Sequence, residues 1–213
     1  VNLGADVLTR LAYAVSGPGG LRKLQQAVIS VLNEMLEQMC ANAAVDGKSV
    51  AEIVVVGNTV MNHLLCGIDP SGLAASPFIA SQASSQYIVA SELGINAAKY
   101  ARIYIPPNIE GFIGSDTIAG LLCSRLYELQ DSGGYALMVD LGTNGEIVLG
   151  NEKSMIACST AAGPAFEGAR LKFGMRGVAG AIQGVKIEEG RLLLDVIDGI
   201  SPAGICGSGA VDL

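Results

Sequence analysis

A short polar turn between two apolar runs is the stretch of this sequence whose residues could do chemistry. Residues 138–150 read MVDLGTNGEIVLG and place Asp140, Thr143, Asn144 and Glu146 among glycines. The flanking apolar runs predict two buried strands. A glycine-bearing turn at the end of such strands offers backbone N–H groups to a phosphate and carboxylates to its metal ion. The same residues also predict an ordinary Asn-Gly hairpin, and their spacing leaves both interpretations open.

A second acid stands just before a predicted helix. Residues 110–117 read EGFIGSDT, and the following apolar pattern predicts a helix over residues 118–129. Ser115 or Asp116 is the predicted N-cap, because short polar side chains accept hydrogen bonds from the free N–H groups of a first turn. Two interpretations of Asp116 stay open. It is a cap stabilised by the helix dipole, or a carboxylate presented into a cleft to hold a metal-bound water or act as a base.

An earlier glycine turn also joins a strand to a helix. Residues 53–56 predict a short buried strand, Gly57 allows a sharp turn, and Thr59 is the predicted N-cap of a helix through Leu65. Such a junction is either a plain connection or a ligand-binding edge of an α/β sheet. His63, the single histidine, lies in this helix. It is predicted to be structural, with general-base chemistry as the alternative.

A third turn of this kind lies further along the chain. Gly163 before Pro164 predicts a turn with proline at the first helical position. The helix that follows would present its free N–H groups to the preceding loop. This helix start is therefore a second candidate phosphate contact.

Alternating helical and strand patterns surround these turns and predict an α/β protein. Residues 21–45 predict the longest helix, residues 68–91 an ordered surface loop, residues 102–105 a strand and residues 185–196 a hairpin. Glycines at 133 and 134, after Ser132, predict a domain boundary. One apolar stripe on the long helix predicts core packing and not a cofactor site. Its members are Leu24, Val28, Val31, Leu32, Met35 and Met39.

Composition excludes several function classes. The 213 residues carry a net charge of −7 with no basic cluster, which argues against nucleic acid and anionic membranes as partners. No apolar run predicts a membrane span and no signal peptide opens the sequence, so a cytoplasmic setting is the default. The five cysteines stand far apart. They predict small buried thiols instead of a zinc or iron–sulfur loop.

Five sequence blocks in order resemble a known family. They are GNTVMNHLLCGIDP with SPF (57–70 and 76–78), IEGFIGSDT (109–117), VDLGTNGE (139–146), AGPAFEGA (162–169) and GICGSG (204–209). Together they are similar to the ATPase part of the reductive activators of corrinoid proteins. These are iron–sulfur proteins whose main domain resembles the actin, sugar-kinase and chaperone ATPases (ASKHA).

The resemblance implies a fold and an activity. The fold would be α/β, an actin-like (RNase H-like) ATPase with two lobes, each a mixed sheet with flanking helices. Residues 1–133 would be the remainder of the first lobe and residues 134–213 the start of the second. An iron–sulfur cluster would reduce Co(II) corrinoid on a partner protein to Co(I), with ATP hydrolysis assisting. A homodimer is an open alternative for the assembly.

The resemblance also implies roles for particular residues. Asp140 and Asp116 would be the catalytic acids near Mg²⁺. The turn would bind ATP near its β- and γ-phosphates through Gly142, Thr143, Asn144, Gly145 and Glu146. Gly163 and Pro164 would border the nucleotide.

The sequence also departs from the family pattern. The first phosphate loop, the Gly-Gly adenosine-binding segment and the cluster-binding cysteines of the family have no counterpart in it. We therefore expect a piece of a longer polypeptide, with the iron–sulfur cluster in a segment outside it. Alone, this piece is expected to bind ATP weakly or not at all and to be inactive.

Two other function classes stay open on the sequence. One is a small-molecule kinase of the same superfamily, with Asp116 as base for a substrate hydroxyl. The other is a non-catalytic module that docks a partner protein, in which the glycine turns are only structural. The kinase rests on fold analogy alone, whereas the activator resemblance covers nearly the whole chain.

Overall fold

A computed structural model describes residues 3–4, 6–126, 134–142, 144–151, 153–160, 171–188 and 190–212. The described helices are α1 (Val7–Val15), α2 (Gly20–Ala43), α3 (Thr59–Cys66), α4 (Ser115–Ser124) and α5 (Gly207–Val211). The described strands are β1 (Glu52–Val54), β2 (Gln86–Val89), β3 (Arg102–Ile105), β4 (Ala136–Leu141), β5 (Gly145–Gly150), β6 (Met155–Thr160), β7 (Ala181–Glu188), β8 (Arg191–Val196) and β9 (Gly204–Ile205). The predicted α/β class is confirmed.

The first sheet has the order β1-β3-β2. β1 runs parallel to β3, and β2 runs antiparallel to it. Ile53, Ile103 and Ile88 stand opposite one another across the three strands. Ile53 and Ile103 belong to the hydrophobic cluster formed with residues of α2. β3 has the predicted bounds. β2 lies inside the segment predicted to be a loop, so that prediction is wrong for these four residues.

One side of α2 covers this sheet and another side is exposed. Val28, Leu32 and Leu36 recur every fourth residue and pack against the buried isoleucines of the sheet. Met35 and Met39 belong to the next row around the helix, with 51% and 64% of their surface exposed. The predicted core stripe is therefore wrong for its outer row, which also includes Val31. The reason is geometric, since the two rows run side by side around the helix and only one of them meets the sheet.

The predicted caps of two helices are also wrong. α3 begins at Thr59, and the preceding Asn58 is its N-cap, with Oδ1 accepting from the N–H of Met61 at 2.9 Å. α4 has Gly114 as its N-cap, without a side-chain bond, so neither Ser115 nor Asp116 is the capping residue. α3 therefore begins one residue earlier than predicted, and α4 begins three residues before the predicted start at residue 118.

Two further small sheets follow in the chain. One has the order β4-β5-β6, and the other has the order β8-β7-β9. The predicted hairpin is confirmed, because β7 and β8 pair antiparallel up to Glu188 opposite Arg191. β9 lies parallel to β7 on its other side.

Contacts divide the chain into two compact units. The first contains residues 1–140 and 146–159, and the second contains residues 141–145 and 160–213. The assignment of residues 1–133 and 134–213 to two actin-like lobes stays a prediction. No helix within the described part of the chain is long and apolar enough to cross a bilayer.

The cysteines are more varied than predicted. Cys206 is buried, Cys40 and Cys66 are half-buried, and Cys123 and Cys158 are exposed. The prediction of buried thiols is therefore wrong for the last two. Burial raises the pKa of the Cys66 thiol to about 11, which keeps it protonated and unreactive near neutrality.

Candidate active site

Asp116 is held at the start of α4 by an unusually close backbone approach. A Cβ at Gly114 would overlap the carbonyl oxygen of Gly57 and the Cα of Asn58. Asp116 is the second residue of α4, half-buried, and its Oδ1 accepts from the N–H of Thr117 at 2.9 Å. Burial raises the pKa of the Asp116 carboxyl, and the negative charge of Asp140 adds to the increase.

Glu146 is a second acid whose surroundings disfavour its charge. It is the second residue of β5, its side chain is 9% exposed, and its Oε1 accepts from Oγ of Ser159 at 2.9 Å. Burial raises the pKa of Glu146, and the charges of Asp116 and Asp140 raise it further. The hydrogen bond from Ser159 acts in the opposite direction, because it stabilises the carboxylate.

Asp140 completes this group from the exposed end of β4. Asp116, Asp140 and Glu146 all belong to the first unit and interact electrostatically there. In the described ranges, no three acidic, histidine or cysteine side chains are close enough to hold a metal ion by themselves. Mg²⁺ binds through one or two carboxylates, with phosphate oxygens and waters as its other ligands. Asp116 and Asp140 therefore fit Mg²⁺ brought by a nucleotide, and their metal role stays a prediction.

The residues predicted to contact phosphate lie in the turn between β4 and β5. β4 and β5 are neighbours in one sheet, which confirms the strand–turn–strand interpretation. The predicted burial is wrong for β4, which is largely exposed. Within the turn, the N–H of Gly142 donates to the carbonyl of Asn144 at 3.0 Å. A Cβ on Gly145 would stand 3.2 Å from Cγ2 of Thr160, which makes this position tight for any larger residue. Nucleotide binding by these residues stays a prediction.

Three of the predicted nucleotide contacts lie outside the described residues. They are Thr143, Gly163 and Pro164. Their predicted roles therefore rest on the sequence resemblance.

His63 has the surroundings of a structural histidine. Its side chain is 1% exposed, its Nδ1 lies 2.7 Å from the carbonyl oxygen of Thr59, and its Nε2 accepts from the N–H of Gln82 at 3.2 Å. These partners require a proton on Nδ1 and none on Nε2. Burial lowers the pKa of His63. The structural interpretation is supported, because a general base needs a free ring nitrogen.

The small mixed sheets and the sequence comparisons define the class of protein together. Residues 134–213 match the family described as the C-terminal domain of RACo, the ASKHA domain. The predicted actin-like fold is thereby confirmed. Residues 1–129 match the family described as the RACo middle region. The chain belongs to the RACo family.

Individual relatives agree with this assignment. The chain is 38% identical over 212 residues to the corrinoid activation enzyme RamQ of Eubacterium limosum, covering 100% of this chain and 35% of that protein. It is 28% identical over 195 residues to a [Co(II) methylated amine-specific corrinoid protein] reductase of Methanosarcina barkeri, covering 87% of this chain and 34% of that one. A solved reductive activator for corrinoid, iron–sulfur protein superposes with a TM-score of 0.76 at 39% identity, covering 99% of this chain and 33% of that one. The chain thus spans about a third of these relatives.

Proposed function

We propose that this chain is the central ATPase part of an enzyme that couples ATP hydrolysis to the reduction of cobalt in a corrinoid protein. The observation that carries the proposal is the group of three interacting carboxylates, Asp116, Asp140 and Glu146, in a chain of the RACo family. The names of the relatives supply the substrate class, a Co(II) corrinoid on a protein partner.

Asp140 and Asp116 differ in exposure, and we assign them different roles in ATP hydrolysis on that basis. Asp140 is exposed, so it would hold Mg²⁺ directly, and Asp116 would hold a water bound to the ion. The ion, when bound, neutralises phosphate charge during attack of water on ATP. The raised pKa of Asp116 makes this side chain a better proton acceptor than an ordinary aspartate. Its carboxylate would take the proton of that water, and ADP and phosphate would leave.

The electron has a different source from the phosphoryl chemistry. A reduced iron–sulfur cluster would give one electron and become oxidised, while Co(II) would accept it and become Co(I). We place the cluster in a segment outside this chain, because the five cysteines here are widely separated. The isolated chain is proposed to hydrolyse ATP weakly or not at all, because the family's first phosphate loop and adenosine-binding segment have no counterpart in this sequence.

Asp140→Asn in the complete gene product tests the proposal. The substitution removes a charged metal ligand with little change of shape. ATP hydrolysis and Co(I) formation, followed by the corrinoid absorbance, should both fall at least roughly tenfold. Asp46→Asn is the matched control, since Asp46 caps a 3₁₀ turn after α2 and should leave both rates unchanged. Parent rates in Asp140→Asn would instead favour a partner-docking module.

A further inference from the structure

A buried polar cluster lies directly behind Asp116. Its side chains are Asn62, Asn108 and Ser115, which are 5%, 9% and 0% exposed. Nδ2 of Asn62 lies 2.7 Å from Oδ1 of Asn108, 2.9 Å from Oγ of Ser115 and 3.0 Å from the carbonyl oxygen of Gly57. The cluster therefore joins α3, the start of α4 and the residue 108 loop through one carboxamide.

The same cluster determines where α4 begins. Oγ of Ser115 accepts from the N–H of Gly57 at 3.1 Å, and the Gly57 carbonyl oxygen lies 3.4 Å from the backbone nitrogen of Asp116, which donates to it. Gly114 packs against this peptide without room for a side chain. Displacement of Gly57 would consequently move the backbone of Asp116, and its carboxylate with it.

Asn62 is the member that no apolar residue could replace. Its Nδ2 has two hydrogens and three acceptors within 3.0 Å, so the orientation of the amide is determined from several sides. Burying an unpaired polar group is costly, and removal of Asn62 would leave Oδ1 of Asn108 without this donor. A buried hydrogen-bonded network of this kind holds its members in one geometry.

We propose that Asn62 is a positioning residue for Asp116, acting through Ser115 and the Gly57 peptide. Asn62 does not touch the substrate. It sets the placement of a carboxylate that does, because the first turn of α4 is bonded to the same peptide as its amide. The proposal rests on the proposed function, since Asp116 must act in ATP hydrolysis for its placement to matter.

A double-mutant cycle in the complete gene product tests this role. Asn62→Ala should lower kcat for ATP hydrolysis by about tenfold with KM within about twofold, since a misplaced group loses rate more than binding. Asp116→Glu displaces the carboxylate by its longer side chain. In that background Asn62→Ala should have little further effect on kcat, because effects through one group are not additive.

A second test variant and a matched control accompany Asn62→Ala. Ser115→Ala removes the hydroxyl oxygen that accepts from both Nδ2 of Asn62 and the N–H of Gly57. It should reproduce the fall in kcat and its dependence on Asp116 if Asn62→Ala does not fold. Asn33→Ala is the matched control, because Asn33 also bridges a loop, with Nδ2 2.9 Å from the carbonyl oxygen of Gly94 and Oδ1 accepting from Asn96 at 2.8 Å. It should leave kcat unchanged.

The outcomes separate this proposal from the function on which it rests. Equal losses in kcat from Asn62→Ala in the parent and Asp116→Glu backgrounds would overturn the positioning role, and so would an equal loss in Asn33→Ala. The positioning role would also be overturned if Asn62→Ala and Ser115→Ala both had the kcat of the parent protein. If Asp140→Asn and Asp116→Glu hydrolysed ATP at the rate of the parent protein, the proposed function would be overturned instead.

Discussion

Ser159 donates its hydroxyl hydrogen to Oε1 of Glu146 across 2.9 Å, from β6 to the neighbouring β5. Burial and two nearby carboxylates favour protonation of Glu146, and this hydrogen bond opposes them. The charge on Glu146 thus depends on a serine to which the sequence assigns no role.

Ser159→Ala should make Glu146 harder to ionise. The pKa of Glu146 is expected to rise further, because the carboxylate loses a donor while burial and the charges of Asp116 and Asp140 remain. A ¹³C NMR titration of the Glu146 carboxyl measures the change. Loss of a hydrogen bond to a charged group also predicts about 1.5–3 kcal/mol less stability at neutral pH. Ser124→Ala is the control, since that hydroxyl donates to the carbonyl of Leu121 in its own helix and lies 3.9 Å from the sulfur of Met138. An unchanged titration of Glu146 in Ser159→Ala would contradict the prediction.

Gly114→Ala should destabilise the protein by steric overlap. The backbone at Gly114 has a φ of −96°, which any residue adopts, so the missing space and not the conformation requires glycine. A methyl group there would meet backbone atoms of Gly57 and Asn58, which cannot rotate away. We expect a loss of about 1–3 kcal/mol in urea unfolding of the complete gene product. Gly17→Ala, where nothing lies within 4 Å, is the control and should be nearly neutral. Equal stabilities of the two variants would show that the contact at Gly114 is dispensable.

The stability of the fold should fall in mild acid because of His63. Its pKa is lowered by burial, so the folded state takes up a proton less readily than the unfolded chain, whose histidine titrates near pH 6.5. This contribution to stability is full above about pH 6.5 and is lost as the pH falls from there through the lowered folded pKa. The loss can reach about 1.4 kcal/mol per pH unit.

Unfolding of the parent and of His63→Gln between pH 8 and 5 measures this effect. The parent should lose more stability toward pH 5 than the variant, in which no imidazole titrates at position 63. Since the chain has a single histidine, the difference between the two curves belongs to His63. Parallel curves would mean that the ring is not buried in its neutral form.

Local patterns predicted the elements whose cause is local. β3 follows from an alternating apolar run that ends before two prolines, and its predicted bounds are those observed. β2 is as apolar in sequence as β3, but it lies among serines, alanines and glutamines that indicate a loop. Pairing with β3 makes it a strand, and pairing depends on residues distant in the sequence.

The candidate site was predictable only where it coincides with a motif. Asp116, Asp140 and Glu146 stand beside glycine turns, and their types suggest phosphate and metal chemistry. Asn62 lies in the first resemblance block, but nothing in that block points to its role, and Asn108 and Ser159 stand in no recognisable pattern. The roles of all three come from contacts between separate segments. Likewise the helical spacing of apolar residues in α2 predicts an apolar face. It does not predict which of two adjacent rows of that face the sheet covers.

That outer row of α2 has a chemical consequence. Met35 and Met39 border an apolar cavity of 490 Å³ beside β1, and more than half of the surface of each residue is open to solvent. Met61, in contrast, is partly buried, and its sulfur accepts a hydrogen bond from Arg10 at 3.3 Å. Peroxide would therefore convert Met35 and Met39 to sulfoxides before Met61, turning the apolar wall of the cavity polar. Oxidative ageing of the purified protein would begin on this helix.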